Sequence, residues 1–157
     1  MLKISSKLSI FLSLALCIGF LALCIIGLFL MPSLVEMLLK IPEDIGFRGV
    51  ITQGARAFVM VLAYFALVGG IAADSLLIAL LLRVRDGKVF TPASVALIRA
   101  VSWCCFFICL IFGILGFYFT LSYIVAFGVL LLGLCVRVCK NVIEEATEIK
   151  YENDLTV

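Results

Sequence analysis

Long uncharged stretches alternate with short polar ones along this chain. No charge lies between Lys7 and Glu36, only Asp74 interrupts Ala57 to Leu82, and Ala100 to Val136 again carries none. At about 1.5 Å per residue, Leu8 to Leu30 amply crosses a hydrocarbon core of about 30 Å. The third stretch is nearly twice what one straight helix needs, so it predicts two helices and a tight turn. Trp103 is expected at one interface, with Phe117, Tyr118, Phe119 and Tyr123 at the other. That sets the turn near Tyr118 to Ser122. The predicted architecture is all-α: a polytopic membrane protein of one domain with four transmembrane helices, at about 8–31, 57–82, 101–118 and 122–138.

Lys3 and Lys7 resemble the n-region of a signal peptide. The apolar run behind them exceeds an h-region of about 7–15 residues, however, and no A-x-A site ends it. Leu21-Ala22-Leu23-Cys24 has Leu where a lipoprotein box needs a small residue before Cys. An uncleaved first span is expected.

Two polar stretches carry the remaining signals. Glu36 to Arg56 is half apolar, with a helix expected from Pro42, Glu43 and Asp44, and reads as a connector lying along the interface. Arg83 to Arg99 is more polar. Asp86-Gly87 marks a turn there, and Thr91-Pro92 reads as N-cap and first-turn proline of the third helix. After the fourth span, Val138, Val142, Ala146 and Ile149 make one apolar stripe, which predicts an amphipathic extension over 139–157.

Charge assigns the sides. Lys3, Lys7, Arg83, Arg85, Lys88, Arg99, Arg137, Lys140 and Lys150 fall on one side, and Lys40, Arg48 and Arg56 on the other. By the positive-inside rule both termini, the 83–99 loop and the tail are cytoplasmic, in a cell (plasma or inner) membrane.

Composition supports the lipid bilayer as solvent: 66% of residues are hydrophobic, against roughly half in soluble domains. The net charge of +2 is too small to suggest direct nucleic-acid binding. Histidine is absent, which removes the commonest general base and transition-metal ligand. The seven cysteines, Cys17, Cys24, Cys104, Cys105, Cys109, Cys135 and Cys139, lie in or at the ends of the apolar runs. They read as small hydrophobes, not as a disulfide framework or a metal site. Ala15, Gly19, Gly113 and Gly116 read as helix-packing positions.

Asp74 is the sharpest candidate for function, because a carboxylate inside a span is expensive and calls for a partner. It sits about 13 Å inward from Arg83 along the helix. Ala66, Gly70 and Asp74 share one face, so the acid is expected against another helix, hydrogen-bonded to Ser13, Ser102 or backbone. A structural role and a proton- or cation-coupled one both fit it.

A four-span core, the loop residues Gly87, Val89, Phe90 and Thr91 with Arg99, and the ending Glu152-Asn153-Asp154-Leu155-Thr156-Val157 resemble a family of uncharacterised small bacterial membrane proteins. That family is a domain of unknown function often encoded beside a Cro/CI-type helix-turn-helix regulator. Pro92 and Ser94 depart from the polar residues ending in Asn that its pattern expects. The resemblance implies a neighbourhood and no established activity.

The leading expectation is a regulatory or accessory membrane protein. It would present Arg83, Arg85, Gly87, Lys88, Phe90, Thr91 and Arg99, with the C-terminal motif, to a partner such as that regulator. The alternatives are a small transporter or channel component using Asp74, as a homo-oligomer, and an immunity-type membrane protein. No nucleophile–base pair, metal set or cofactor motif stands out, so an enzyme is not expected.

Overall fold

A computed structural model describes residues 6–39 and 53–155 of the chain. They form four helices: α1 (Ser6–Leu39), α2 (Gln53–Arg85), α3 (Pro92–Leu115) and α4 (Leu121–Leu155). Each is long and apolar enough to cross a bilayer. Their outward side chains would be intolerable in water: Phe29 is 82% and Phe11 73% exposed. The helix expected from Pro42 lies outside the described residues.

Cross-helix contacts fix the order. Leu67 lies against Gly27 and Arg56 against Glu36. Ile108 lies against Gly69, with Ile111 and Leu115 in one cluster with Leu62 and Val59. Cys105 lies against Gly133 and Arg99 against Glu144, so each helix runs antiparallel to the one before it. The start of α1, the α2–α3 loop and the end of α4 therefore share one end of the array, here the loop end. Residues 116–120 turn the chain at the opposite end. α1 packs on α2, α2 on α3 and α3 on α4, and among the described residues no other pair of helices brings its backbones close together. α3 is consequently the central helix. The apolar core, Val35, Val59, Leu62, Ile111, Leu115 and Phe119, sits toward the turn end. Phe119 thus belongs to the interior and not to the expected aromatic belt, while Phe117 and Tyr123 stay on the surface and stack edge to face.

Local chemistry explains the helix ends. Gly87 adopts φ 73°, open to glycine at no steric cost. Its N–H donates to Val84 O at 3.1 Å and that of Lys88 to Arg83 O at 2.9 Å, the Schellman closure of α2. Thr91 caps α3 as expected, accepting from the Ser94 N–H at 3.3 Å, with Pro92 in the first turn. Ser94, only 1% exposed, donates through its hydroxyl to Lys88 O at 2.8 Å. A serine thereby ties the loop where the family pattern expects an Asn. Within α1, Pro32 has no N–H to offer Leu28 O, and the Tyr64 hydroxyl of α2 reaches that carbonyl at 3.5 Å.

Not every small residue serves packing. A Cβ at Gly19 or Gly113 would meet nothing within 4 Å, and Ala15 is exposed, so these three do not fill the packing role expected of them. Gly116 does: a Cβ there would overlap the Tyr123 ring. At Gly133 a Cβ would come within 3.1 Å of Cys105 Cβ, which marks the close approach of α3 and α4. Gly133→Leu is expected to destabilise the fold by about 1–3 kcal/mol, while Gly113→Leu leaves it nearly unchanged. Heat-induced loss of the monodisperse peak in detergent gel filtration checks this; equal melting of the two variants would refute the α3–α4 contact.

Candidate functional site

Two regions gather the polar chemistry. The first is at the loop end, where the α2–α3 loop meets the extension of α4. α4 continues unbroken for 35 residues, about 52 Å, so it outruns a hydrocarbon core of about 30 Å. Arg99 of α3 reaches across to Glu144 at 2.9 Å, and Lys140, one turn back on α4, pairs with the same carboxylate. The hydrogen bond from Lys140 and the charges of Lys140 and Arg99 hold the Glu144 carboxyl below its usual range, against an opposing desolvation effect. Arg137 lies over the Trp103 ring, 5.5 Å from its centroid, adding a second α3–α4 tie nearby.

These ties choose the face that α4 turns inward, and it is not the apolar stripe. Lys140, Ile143, Glu144, Thr147 and, of the stripe, Ala146 are half-buried, whereas Val138, Val142 and Ile149 are 62%, 61% and 55% exposed. Farther along, Phe90 of the loop and Pro92 at the start of α3 face Thr147, Glu148, Tyr151 and Glu152 across a groove of about 480 Å³. Of the expected loop residues, Arg83 is half-buried, Arg85 stands beside Asp86 at 3.4 Å, and Lys88 is exposed. Arg85–Asp86 is an exposed neighbour pair and contributes little. α4 carries the ending as helix through Leu155, and Asn153 is exposed. Thr156 and Val157 lie outside the described residues.

Asp74 forms the second region. It is 6% exposed, and its Oδ2 is buried without a hydrogen-bond partner. Ser102 does not supply one: its hydroxyl donates to Arg99 O of its own helix at 2.8 Å. The side chain that stands against Asp74 is Cys17 of α1, a weak donor at best. Because the backbones of α1 and α4 stay apart, the four helices border a trough of about 990 Å³, walled by α1 and α4 and floored by α2 and α3. Asp74 is the one ionisable carboxylate lining it; nearly all else there is hydrocarbon or thiol.

Sequence reasoning missed Ser94, Glu144 and Cys17. The spacing of Thr91 to Ser94 and of Lys140 to Glu144 was visible, but neither pattern tells which helix lies opposite. Among the described residues no group of three or more His, Cys, Asp or Glu is placed to hold a metal ion.

A family model described as "Protein of unknown function (DUF2975)" matches residues 2–157. No curated protein and no solved structure matches the chain.

The Glu144 cluster sets a pH dependence. A folded-state value below the ordinary one, about 4.3 for Glu, means a contribution present above that value and lost as pH falls through the lowered one. The melting temperature in detergent is expected to fall more on acidification in the native chain than in Glu144→Gln. Parallel curves would show that the cluster does not hold the extension.

Proposed function

The chain belongs to the DUF2975 family, and we propose that it is a regulatory membrane protein whose α4 extension, with five acidic residues against three basic ones over 137–157, is a docking platform for a small basic partner. The observation that carries this reading is the uncovered apolar stripe on the α4 extension. Helices that stand free in water rarely leave Val and Ile uncovered in a row unless something binds there. Beyond the fourth span, Val142 and Ile149 form that row, beside exposed Glu145 and Glu148. An apolar seam bordered by carboxylates complements a protein that carries apolar and basic groups together. A DNA-binding regulator, of the kind the family resemblance places beside such genes, has a basic face because it must neutralise phosphates. Occupation of that face by the acidic helix competes with DNA, and the Arg99–Glu144–Lys140 cluster holds the helix in a fixed pose for the purpose. The reading requires the loop end to face the cytoplasm, in keeping with the nine basic residues on that side.

Co-purification of the intact chain with the neighbouring regulator in mild detergent tests it. Val142→Asp combined with Ile149→Asp is expected to weaken capture about 10-fold or more. Capture unaffected by that pair sinks the platform; so does labelling from outside intact cells of a cysteine replacing Lys88.

A second reading rests on Asp74 alone: an ion- or proton-coupled transporter component. Flux in proteoliposomes that vanishes in Asp74→Asn is its expected outcome, and equal flux in both forms removes it.

A further inference from the structure

We propose that the trough between α1 and α4 is a binding site for a lipophilic cation, an amphiphile whose ammonium head sits at Asp74 and whose hydrocarbon body lies along the helices. The inference concerns occupancy and rests on neither partner capture nor flux.

Three observations point to it. The first is volume: about 990 Å³ stands at the upper end of the roughly 300–1,000 Å³ typical of ligand pockets. A void of that size beside packed helices is filled by something, since empty space forfeits dispersion contacts on every wall. The second is the wall chemistry. Cys17, Gly70, Cys105, Ile108 and Val125 are among the lining residues, and they offer an occupant hydrocarbon and soft sulfur but no positive charge. The third is Asp74, more than nine-tenths buried, whose small exposed remainder lines this trough and gives it the one carboxylate among its walls; Oδ2 itself lies beneath the surface. No Lys or Arg lies in the uncharged runs around it to serve as an internal counter-ion.

These features select among occupants. A lipid acyl chain satisfies the walls and leaves the carboxylate without a counter-charge in a medium of low dielectric. An anionic amphiphile adds repulsion in a medium of low dielectric. A second copy of this chain brings apolar helix surface and, from its own spans, only another Asp74. A head that is cationic and carried on hydrocarbon answers both requirements at once. The space beside Asp74 also admits it: one turn away, a Cβ at Gly70 would meet nothing within 4 Å.

The test uses the full chain in a neutral maltoside detergent and radiolabelled dodecyltrimethylammonium, with equilibrium dialysis against empty micelles. Saturable binding at one site per chain is expected. Asp74→Asn should weaken it about 30-fold or more, as loss of a buried charge partner does, and Asp74→Glu should retain it. Gly70→Leu, which grows into the trough and leaves the carboxylate intact, should abolish it. The uncharged isostere 2,2-dimethyltetradecane should fail to displace the probe. Equal displacement by the isostere, or full binding to folded Asp74→Asn, overturns the proposal in favour of lipid-like filling. So does absence of binding with Cys17–Cys17 cross-linking between chains, which would mean that a second copy closes the trough. Should Asp74→Asn fail to fold, the Gly70→Leu and isostere arms decide alone.

Discussion

In hydrocarbon, a polar group that lacks a partner has no water to fall back on, and this constraint orders the whole molecule. The helices satisfy their own backbones, and the exceptions are met one at a time. The carbonyl that Pro32 leaves free is approached by Tyr64 from the next helix. Ser102, fully buried, spends its hydroxyl on a carbonyl one turn back. Ser94 crosses from helix to loop to reach Lys88 O. Against that background the unpartnered oxygen of Asp74 stands apart, since insertion of an Asp at a helix centre already costs about 2.5–3.5 kcal/mol.

The same constraint explains why the loop end is built differently. Beyond the hydrocarbon, exposed ion pairs are cheap to make and weak to hold, so a single contact would not fix a helix. Here one carboxylate, Glu144, takes two cations from different elements, and Arg137 adds a contact to Trp103 about two turns earlier on α4. Together they set the rotation of α4 about its axis. That rotation turns Lys140, Ile143 and Thr147 inward and leaves Val138, Val142 and Ile149 outward. Surface display of an apolar stripe is therefore a consequence of the polar ties, not a failure of packing.

The four spans were legible in the sequence because hydropathy in a bilayer is nearly one-dimensional: length and charge suffice. Thr91 and Pro92 were legible for a similar reason, as a cap is decided by neighbours within one turn. What sequence periodicity could not supply was rotation. It found the stripe on α4 and assumed that apolar means inward, when in lipid and at its border the inward face is selected by small residues and polar ties. Gly19 and Gly113 misled in the same way, since smallness permits close approach but does not say which helix approaches. Asp74 was found at once; of its three expected partners, Ser102 lies on the central helix and gives its hydroxyl to a nearer acceptor of its own.

Asp74 as simple structural glue sits poorly with this arrangement. Glue requires the carboxylate to bond across an interface, and the neighbour across it is a thiol, among the weakest donors available. A serine or threonine at position 17 would have tied α1 to α2 through Asp74. A residue at 74 as apolar as its surroundings would have packed the two helices with no polar requirement at all. The chain does neither, and among the described residues it also keeps the α1 backbone away from those of α3 and α4. A costly group left without its natural partner, beside a space left without a filler, is better explained by one missing component than by two separate defects of packing.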